Sequence, residues 1–428
     1  MYNNTNPIYG YVPGGYKNGF IPPVIGAELD RLTFSRTSVG TRRRKDGLIE
    51  NLSSNVPRLN YDYNNNCPYL LLEPQATNLF PNSADFTQSN WSTTSVTVDQ
   101  FVTAAPDGSN TGMKLTVNAS GTRYASDNVT LVINEKAQIS CFAKAGNTGY
   151  FALACVDAFG PTTDEAIGTF DLVNGKVGST SLSSGVTPTL SIEPYENGWY
   201  RCKMEFVATS SGAWNGRILC STEALDDITG RIGDHVFAWG AQAEVSEECT
   251  SYIPSGGTTT TRVGESATNG LTSTAIRSPE GAIYVEFENT ADPINGFRTI
   301  SLSDGTNQEF VKIQQSGATP GTMFVNITVK GVTQVNVAIN DTNILERNKI
   351  AVVWGIKDSA RVYLNGEFVS FTNPFQTFTP SILNRLNFGN ETGALPYYGK
   401  IYDLRVYDVF AMNMDSDRIN RFFKTLTN

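Results

Sequence analysis

One histidine, His235, serves the whole of this 428-residue sequence. That excludes any site needing two or three imidazoles, such as a three-His zinc centre, and leaves room for a single nucleophile–histidine arrangement. Charged residues are scarce at 17%, too few for a coiled coil, and hydrophobic residues at 40% are too many for a disordered chain. None of the six cysteines (Cys67, Cys141, Cys155, Cys202, Cys220, Cys249) belongs to a Cys-x-x-Cys pair, so no structural zinc is expected. Their wide spread is unlike a disulfide scaffold and reads as mostly reduced thiols. No apolar run approaches the roughly 18 residues of a membrane span. The start, Met1-Tyr-Asn-Asn-Thr-Asn-Pro, lacks the basic-then-apolar order of a secretory signal. Membrane insertion is therefore not expected. The net charge of −9 argues against nucleic-acid binding by the molecule as a whole.

What the sequence has in quantity is glycine (38 residues) and aromatics (11%), which suits turns and half-buried strands. Its charge is uneven. Residues 1–60 carry eight basic and four acidic side chains, a net +4, leaving −13 for the rest. Residues 1–30 are rich in Tyr, Gly, Pro and Asn without periodicity and read as an arm that orders against another protein, with Tyr9, Tyr11 and Tyr16 as contact residues. Arg42, Arg43 and Arg44, followed by Lys45-Asp46-Gly47, read as a basic hairpin able to dock on an acidic neighbour. Four adjacent basic residues on a strand point to both faces, which disfavours a phosphate-gripping strip.

Further along, period-two patterns dominate. Tyr200, Cys202, Met204 and Phe206 alternate with Arg201, Lys203 and Glu205, as in a half-buried antiparallel strand. Asn174-Gly175 and Asn365-Gly366 are hairpin turns. Ile283, Val285 and Phe287 alternate with polar or aromatic neighbours, as do Met323, Val325, Ile327 and Val329. Residues 255–280 form a Ser/Thr/Gly-rich connector. One helix is expected, over Asn413 to Thr427, where Ile419, Phe422, Phe423 and Leu426 fall on one face and acids from Asp415 to Asp417 stand at the start. The fold class expected is all-β: an N-terminal extended arm and strand segment (1–80), then two antiparallel β-sandwich (jelly-roll) domains (81–266 and 267–428), with one short C-terminal helix.

Several long motifs occur in fixed order. They are Phe34-Ser-Arg36-Thr-Ser38, Gly47-Leu-Ile49, Asn55-Val-Pro-Arg58 and Leu70-Leu-Leu-Glu-Pro-Gln-Ala-Thr-Asn-Leu79. Asn197-Gly-Trp-Tyr-Arg201, Trp239-Gly-Ala-Gln-Ala-Glu244, Thr250-Ser-Tyr-Ile-Pro254 and Thr261-Arg262 follow. Together they resemble bacteriophage virion structural proteins, of tail or head appendages. The resemblance implies a jelly-roll module related to carbohydrate-binding domains. Phe388-Gly-Asn and Tyr398-Gly-Lys-Ile-Tyr-Asp-Leu-Arg-Val-Tyr407 are similar to the last strands of a concanavalin A-like (laminin-G-like) lectin domain. What this implies is a non-enzymatic virion appendage or decoration protein. Its N-terminus would attach to other virion proteins (capsid, tail or baseplate), and its lectin-like surface would meet host glycans. By analogy with other appendages it would be a homo-oligomer such as a trimer. A purely structural adaptor and a polysaccharide depolymerase are the alternatives.

Candidate residues follow from this. Sugars stack on exposed aromatics, so Trp214, in the presumed loop Ser210–Gly216, and Tyr397 and Tyr398, beside the loop after Pro396, are the glycan candidates. Trp91, Trp199, Trp239 and Trp354 read as core. His235 reads as a structural strand-end residue, since no Gly-x-Ser-x-Gly elbow accompanies it. Glu286 and Glu288 share a strand face and depart from the Glu-x-Asp-x-x-Glu of glucanases, so a solvated face is expected. Calcium could meet Asp304, Asn307, Asp358 or the Asp226/Asp227/Asp234 cluster. None forms an EF-hand loop, and no cofactor is expected.

Overall fold

The computed structural model describes residues 5–11, 20–21, 31–63, 67–157, 164–220, 228–271, 276–291, 297–340 and 342–428. Tyr16, Asp226 and Asp227 lie outside them. The architecture is all-β: two double-layered antiparallel sandwiches and, near the C-terminus, a short helical segment.

The central sandwich has two six-stranded sheets. One runs in the order Val96–Thr103, Gly112–Val117, His235–Val245, Lys136–Ala145, Trp199–Val207, Thr189–Pro194. The other runs Lys176–Val177, Glu165–Asp171, Tyr150–Asp157, Gly212–Cys220, Tyr124–Leu131, Ser92–Thr94. The period-two pattern places Cys202, Met204 and Phe206 inward, against Met113, Leu115 and Val117 of the same sheet and Phe151, Leu153 and Trp214 of the facing one. Each such buried side chain contributes roughly 1.5–3 kcal/mol.

The second sandwich has two eight-stranded sheets. The first contains Gly281–Glu288 and Gly399–Asp408 at its centre. Asn348–Trp354, Ala360–Leu364 and Glu367–Thr372 extend it on one side, and Pro68–Leu72 and Arg58–Tyr61 on the other. The second runs Phe20–Ile21, Leu32–Ser35, Ser266–Gly270, Arg385–Phe388, Phe297–Ser303, Phe310–Ser316, Met323–Val329, Val332–Ile339. In the tight hairpin at Asn365-Gly366 both turn residues have positive φ, 48° and 81°, which asparagine and glycine accept most readily. The helix Ser416–Leu426 is capped by Asp415, whose carboxylate accepts from the Arg418 amide at 2.8 Å. Its Ile419 and Phe423 cover the outer face of the first sheet, against Tyr284, Tyr363 and Tyr407. A one-turn helix, Val409–Met412, precedes it.

The N-terminal residues depart from the expected division at residue 80. Tyr9–Gly10 pairs with Gly399–Asp408, Pro68–Leu72 pairs with the same strand, and Leu32–Ser35 pairs with Ser266–Gly270. Tyr9, Tyr11, Leu32, Phe34, Leu70 and Leu72 are buried in one core with Ile283, Leu302, Val325 and Leu404. The segment has too few apolar side chains for a core of its own, so it completes the sheets of the C-terminal half. Tyr9 and Tyr11, expected to reach another protein, are instead buried inside this chain. The central sandwich is an insertion. It is entered and left through a two-stranded ribbon in which Ala76–Asn78 pairs with Thr260–Arg262.

Candidate functional site

Where the two sandwiches meet, the ordered motifs converge on a buried ion network. Glu265 receives the Arg36 guanidinium at 2.7 Å and two nitrogens of Arg58, and its Oε2 also accepts from the Glu73 amide at 2.9 Å. Glu73 in turn pairs with Arg58 and with Arg262, each at 2.8 Å, and accepts from the Ser251 hydroxyl at 2.6 Å. Arg36, Arg58, Glu73, Arg262 and Glu265 are all buried. Burial alone would raise the Glu73 carboxyl, but Arg262 and Arg58 hold it well below the usual carboxylate range. The Trp-Gly-Ala-Gln-Ala-Glu motif has the same character. Glu244 accepts from the Thr250 amide and hydroxyl, both at 2.8 Å, and Gln242 accepts from the Ile253 amide at 2.6 Å. Gly240 has φ +63°, and a Cβ there would sit 2.9 Å from the Phe142 ring, so only glycine fits this bulge. These residues are a clamp: losing one partner of a buried pair costs about 3–5 kcal/mol.

Beside the clamp lies a cleft of about 380 Å³, walled by the basic hairpin, by Arg58–Tyr61 and Pro68–Leu72, by the outer face of the central sandwich and by the rim of the second sandwich. Its volume is within the roughly 300–1,000 Å³ range of ligand sites. A smaller groove of about 200 Å³ shares Ser191, Lys203, Glu248, Cys249 and Thr290 with it and continues along the central sandwich. Tyr69 and Tyr195 line the cleft, Tyr69 almost wholly buried and Tyr195 with the Arg43 guanidinium 4.3 Å over its ring.

Its charges divide into paired and unpaired groups. Lys203 meets Glu193 at 3.0 Å, and Lys400 meets Glu288 at 2.5 Å. Burial pushes the Glu193 carboxyl up, but the Lys203 ammonium more than reverses this and leaves it below the ordinary range. Burial pushes the half-buried Glu248 up to about 8, so it stays protonated at neutral pH. Burial also raises Asp62, which accepts from the Tyr402 hydroxyl at 3.3 Å. Arg43 stands apart. It is only 4% exposed, yet neither Nη1 nor Nη2 makes a hydrogen bond among the described residues. Its nearest recorded acid oxygen, of Glu193, is 3.8 Å away. Its guanidinium is fixed by the rings of Tyr195 at 4.3 Å and Tyr63 at 4.9 Å. Arg201 at 3% exposure has an unbonded Nε, and Asn289 at 2% has an unbonded Oδ1.

The aromatic candidates fare differently. Trp214 lies in the strand Gly212–Cys220 rather than a loop. It is fully buried against Phe206 at 5.6 Å, because period-two alternation turns it into the core. Tyr397 is equally buried, its hydroxyl donating to the Glu288 carbonyl at 3.2 Å. Neither offers a ring face to a sugar. Tyr398 is half-buried, with the Arg298 guanidinium 4.7 Å over its ring. Arg42 and Arg44 find acids within their own hairpin, Glu50 at 2.7 Å and Asp46 at 2.6 Å. Glu286 and Glu288 are not a free solvated face. Glu286 is buried and pairs with Arg347 at 2.7 Å, because the Arg347 side chain, stacked 4.0 Å over the Tyr402 ring, lies across this face of the sheet. Trp91, Trp199, Trp239 and Trp354 are buried, matching the core reading. His235 begins its strand, its amide donating to Asn147 Oδ1 at 2.7 Å. Asp304 closes its own turn through Thr306 at 2.8 Å, and Asp234 accepts from the Arg231 amide at 2.9 Å. Among the described residues no group of three or more His, Cys, Asp or Glu could hold a metal ion. All six cysteines are free thiols.

Sequence reasoning missed the cleft. Arg43 was visible only as one of four basic residues, and Glu193, Tyr195, Glu248 and Asn289 carried no local signal. The one legible hint was Arg201 and Lys203 on the outward side of an alternating strand.

No family model matches the chain, and no curated protein matches it. Similar solved structures include the carbohydrate-binding module CBM40 of the Ruminococcus gnavus IT-sialidase bound to alpha2,3 sialyllactose. It shows 16% identity, 35% coverage of this chain, 83% of that chain and a TM-score of 0.29. The leech intramolecular trans-sialidase aligns at 19% identity over 36% of this chain and 24% of its own, with a TM-score of 0.27. Domains LG4-5 of the mouse laminin alpha1 chain align at 10% identity, covering 65% of this chain and 85% of that chain, with a TM-score of 0.24.

Proposed function

We propose that this chain is a structural component of a bacteriophage particle whose junction cleft binds glycan at the host surface. The virion role and attachment through residues 1–80 rest on the resemblance of the ordered motifs, and a homo-oligomeric state on analogy with such appendages. The observation that carries glycan binding is the cleft itself, where Tyr69 and Tyr195 stand beside buried polar atoms of Arg43, Arg201 and Asn289 that make no hydrogen bond among the described residues. Pyranosides need both kinds of contact, apolar faces for stacking and hydroxyls for hydrogen bonds. The clamp beside the cleft holds its walls in fixed relation, which limits the ordering cost of binding. Titration of the full chain with host envelope polysaccharide tests the binding, and protein analysis of purified particles tests the location. Absence of binding sinks the first, and absence from particles the second. The structural-adaptor reading gains if the cleft is filled by a neighbouring particle protein.

A second reading has one observation in its favour. Glu248 and Glu193 both line the cleft, where burial pushes the Glu248 carboxyl up and the Lys203 ammonium at 3.0 Å holds Glu193 low, the contrast of environments expected of an acid and its counterpart in glycoside hydrolysis. Release of reducing sugar from envelope polysaccharide, lost in Glu248→Gln, would establish it. Intact polysaccharide after prolonged incubation would remove it.

A further inference from the structure

The glycan reading leaves open which sugars the cleft selects, and its unmatched charges address that question. Every described carboxylate of the lining has a local answer. Glu193 and Glu288 are met by lysines, Glu73 by the arginines of the clamp, and Asp62 by the Tyr402 hydroxyl. Glu248 has no cation at ion-pair distance among the described residues, and burial pushes its carboxyl up to about 8. What remains weakly answered is Arg43, whose only approach is 3.8 Å to a Glu193 already held by Lys203, and Arg201, which has no acid at ion-pair distance among the described residues; both are nearly sealed from water. An arginine normally directs its donors to acceptors, and leaving buried donors unmade costs stability. The two terminal nitrogens of Arg43, neither of them hydrogen-bonded among the described residues, are side by side, and that fork matches the two oxygens of a carboxylate. Tyr195 and Tyr63 already fix the plane of the guanidinium, so little rotamer entropy remains to be lost on binding. Asn289 Oδ1 adds a buried acceptor suited to a hydroxyl.

Resting on the glycan reading of this same cleft, we propose that its ligand is an acidic saccharide, whose carboxylate is received by the Arg43 fork with Arg201 adding positive potential. Asn289 accepts from a sugar hydroxyl, and the groove past Ser191 and Thr290 takes the neighbouring residue of the glycan.

The test is calorimetric titration of the full chain with three near-isosteric probes: methyl glucuronoside, its carboxyl methyl ester and methyl glucoside. Cellotetraose and tetragalacturonate are added as longer neutral and acidic chains. The acid is expected to bind on the order of 10-fold tighter than its ester, the effect of a charge-assisted bidentate contact. Arg43→Gln should abolish that preference, and Arg43→Lys should restore only part of it, because the charge returns without the fork. Equal affinity of acid and ester in the unaltered chain overturns the proposal without needing any variant. So does a preference that survives Arg43→Gln, which would leave an ordered water as the only occupant of the fork. Binding of cellotetraose with no gain for tetragalacturonate overturns the acidic specificity but keeps the glycan reading. No binding of any of the five ends both.

Discussion

Two clusters of arginine and glutamate lie side by side at the junction of the sandwiches, and they differ in how far they are satisfied. In the clamp, Arg36, Arg58 and Arg262 share two carboxylates through short, multiple contacts. In the cleft, Arg43 is as deeply buried but has only a 3.8 Å approach to Glu193 and no hydrogen bond at its terminal nitrogens. The same side-chain chemistry, contributed by neighbouring segments, serves cohesion in one place and leaves binding capacity in the other. What separates them is whether the chain itself supplies the acceptor.

The largest effect expected is in the clamp. Glu265→Gln leaves Arg36 and Arg58 buried against a neutral amide and should cost about 3–5 kcal/mol in denaturant unfolding. A loss within the range of an ordinary surface substitution would break the comparison from the clamp side. In the cleft, Arg43→Gln should shift the unfolding midpoint little, since no ion pair of close geometry is lost, while removing the acid preference described above. A large loss of stability with unchanged binding would show that Arg43 belongs to the clamp instead. Tyr397→Phe removes one hydrogen bond to the Glu288 carbonyl and should cost about 1 kcal/mol, with saccharide affinity unaltered. A fall in affinity at normal stability would return Tyr397 to the glycan candidates.

The sharpest comparison is of pH dependences, because those of the two sites have opposite signs. Glu73 is depressed in the folded state, so its contribution is present above the unfolded carboxylate value and fades as pH falls through the folded one. Glu73→Gln should therefore destabilise most near neutrality and least in acid. Glu248 is raised to about 8, so its contribution is full below the unfolded value and is lost as pH climbs toward the folded one. Thermal melts of Glu248→Gln should show an advantage over the unaltered chain that is absent in acid and grows up to that folded value. Parallel pH profiles for the two variants would remove the distinction between clamp and cleft.

Much of the fold was legible because strands announce themselves locally. The alternation of Tyr200 to Phe206, the Asn365-Gly366 turn and the capped helix from Ser416 each depend on neighbours a few residues away. Trp214 escaped the same logic because Gly212 and Gly216, which read as loop punctuation, lie within its strand. The sheet partners of the N-terminal strands were hidden for a different reason. Leu32, Phe34, Leu70 and Leu72 show which faces are apolar, but not that the sheets they complete lie more than 200 residues away.

By itself, the sequence determined the all-β class, the burial of Trp91, Trp199, Trp239 and Trp354, the longer C-terminal helix and the absence of a multi-histidine centre, since these follow from composition and short-range period. It also determined the ordered motifs, without saying what they do. Only the tertiary structure decided that Arg36, Arg58, Glu73, Arg262 and Glu265 form one buried network, and that Arg43 beside it is left with open donors. Whether an arginine is satisfied depends on acceptors brought to it by distant strands, and no local pattern records that distance.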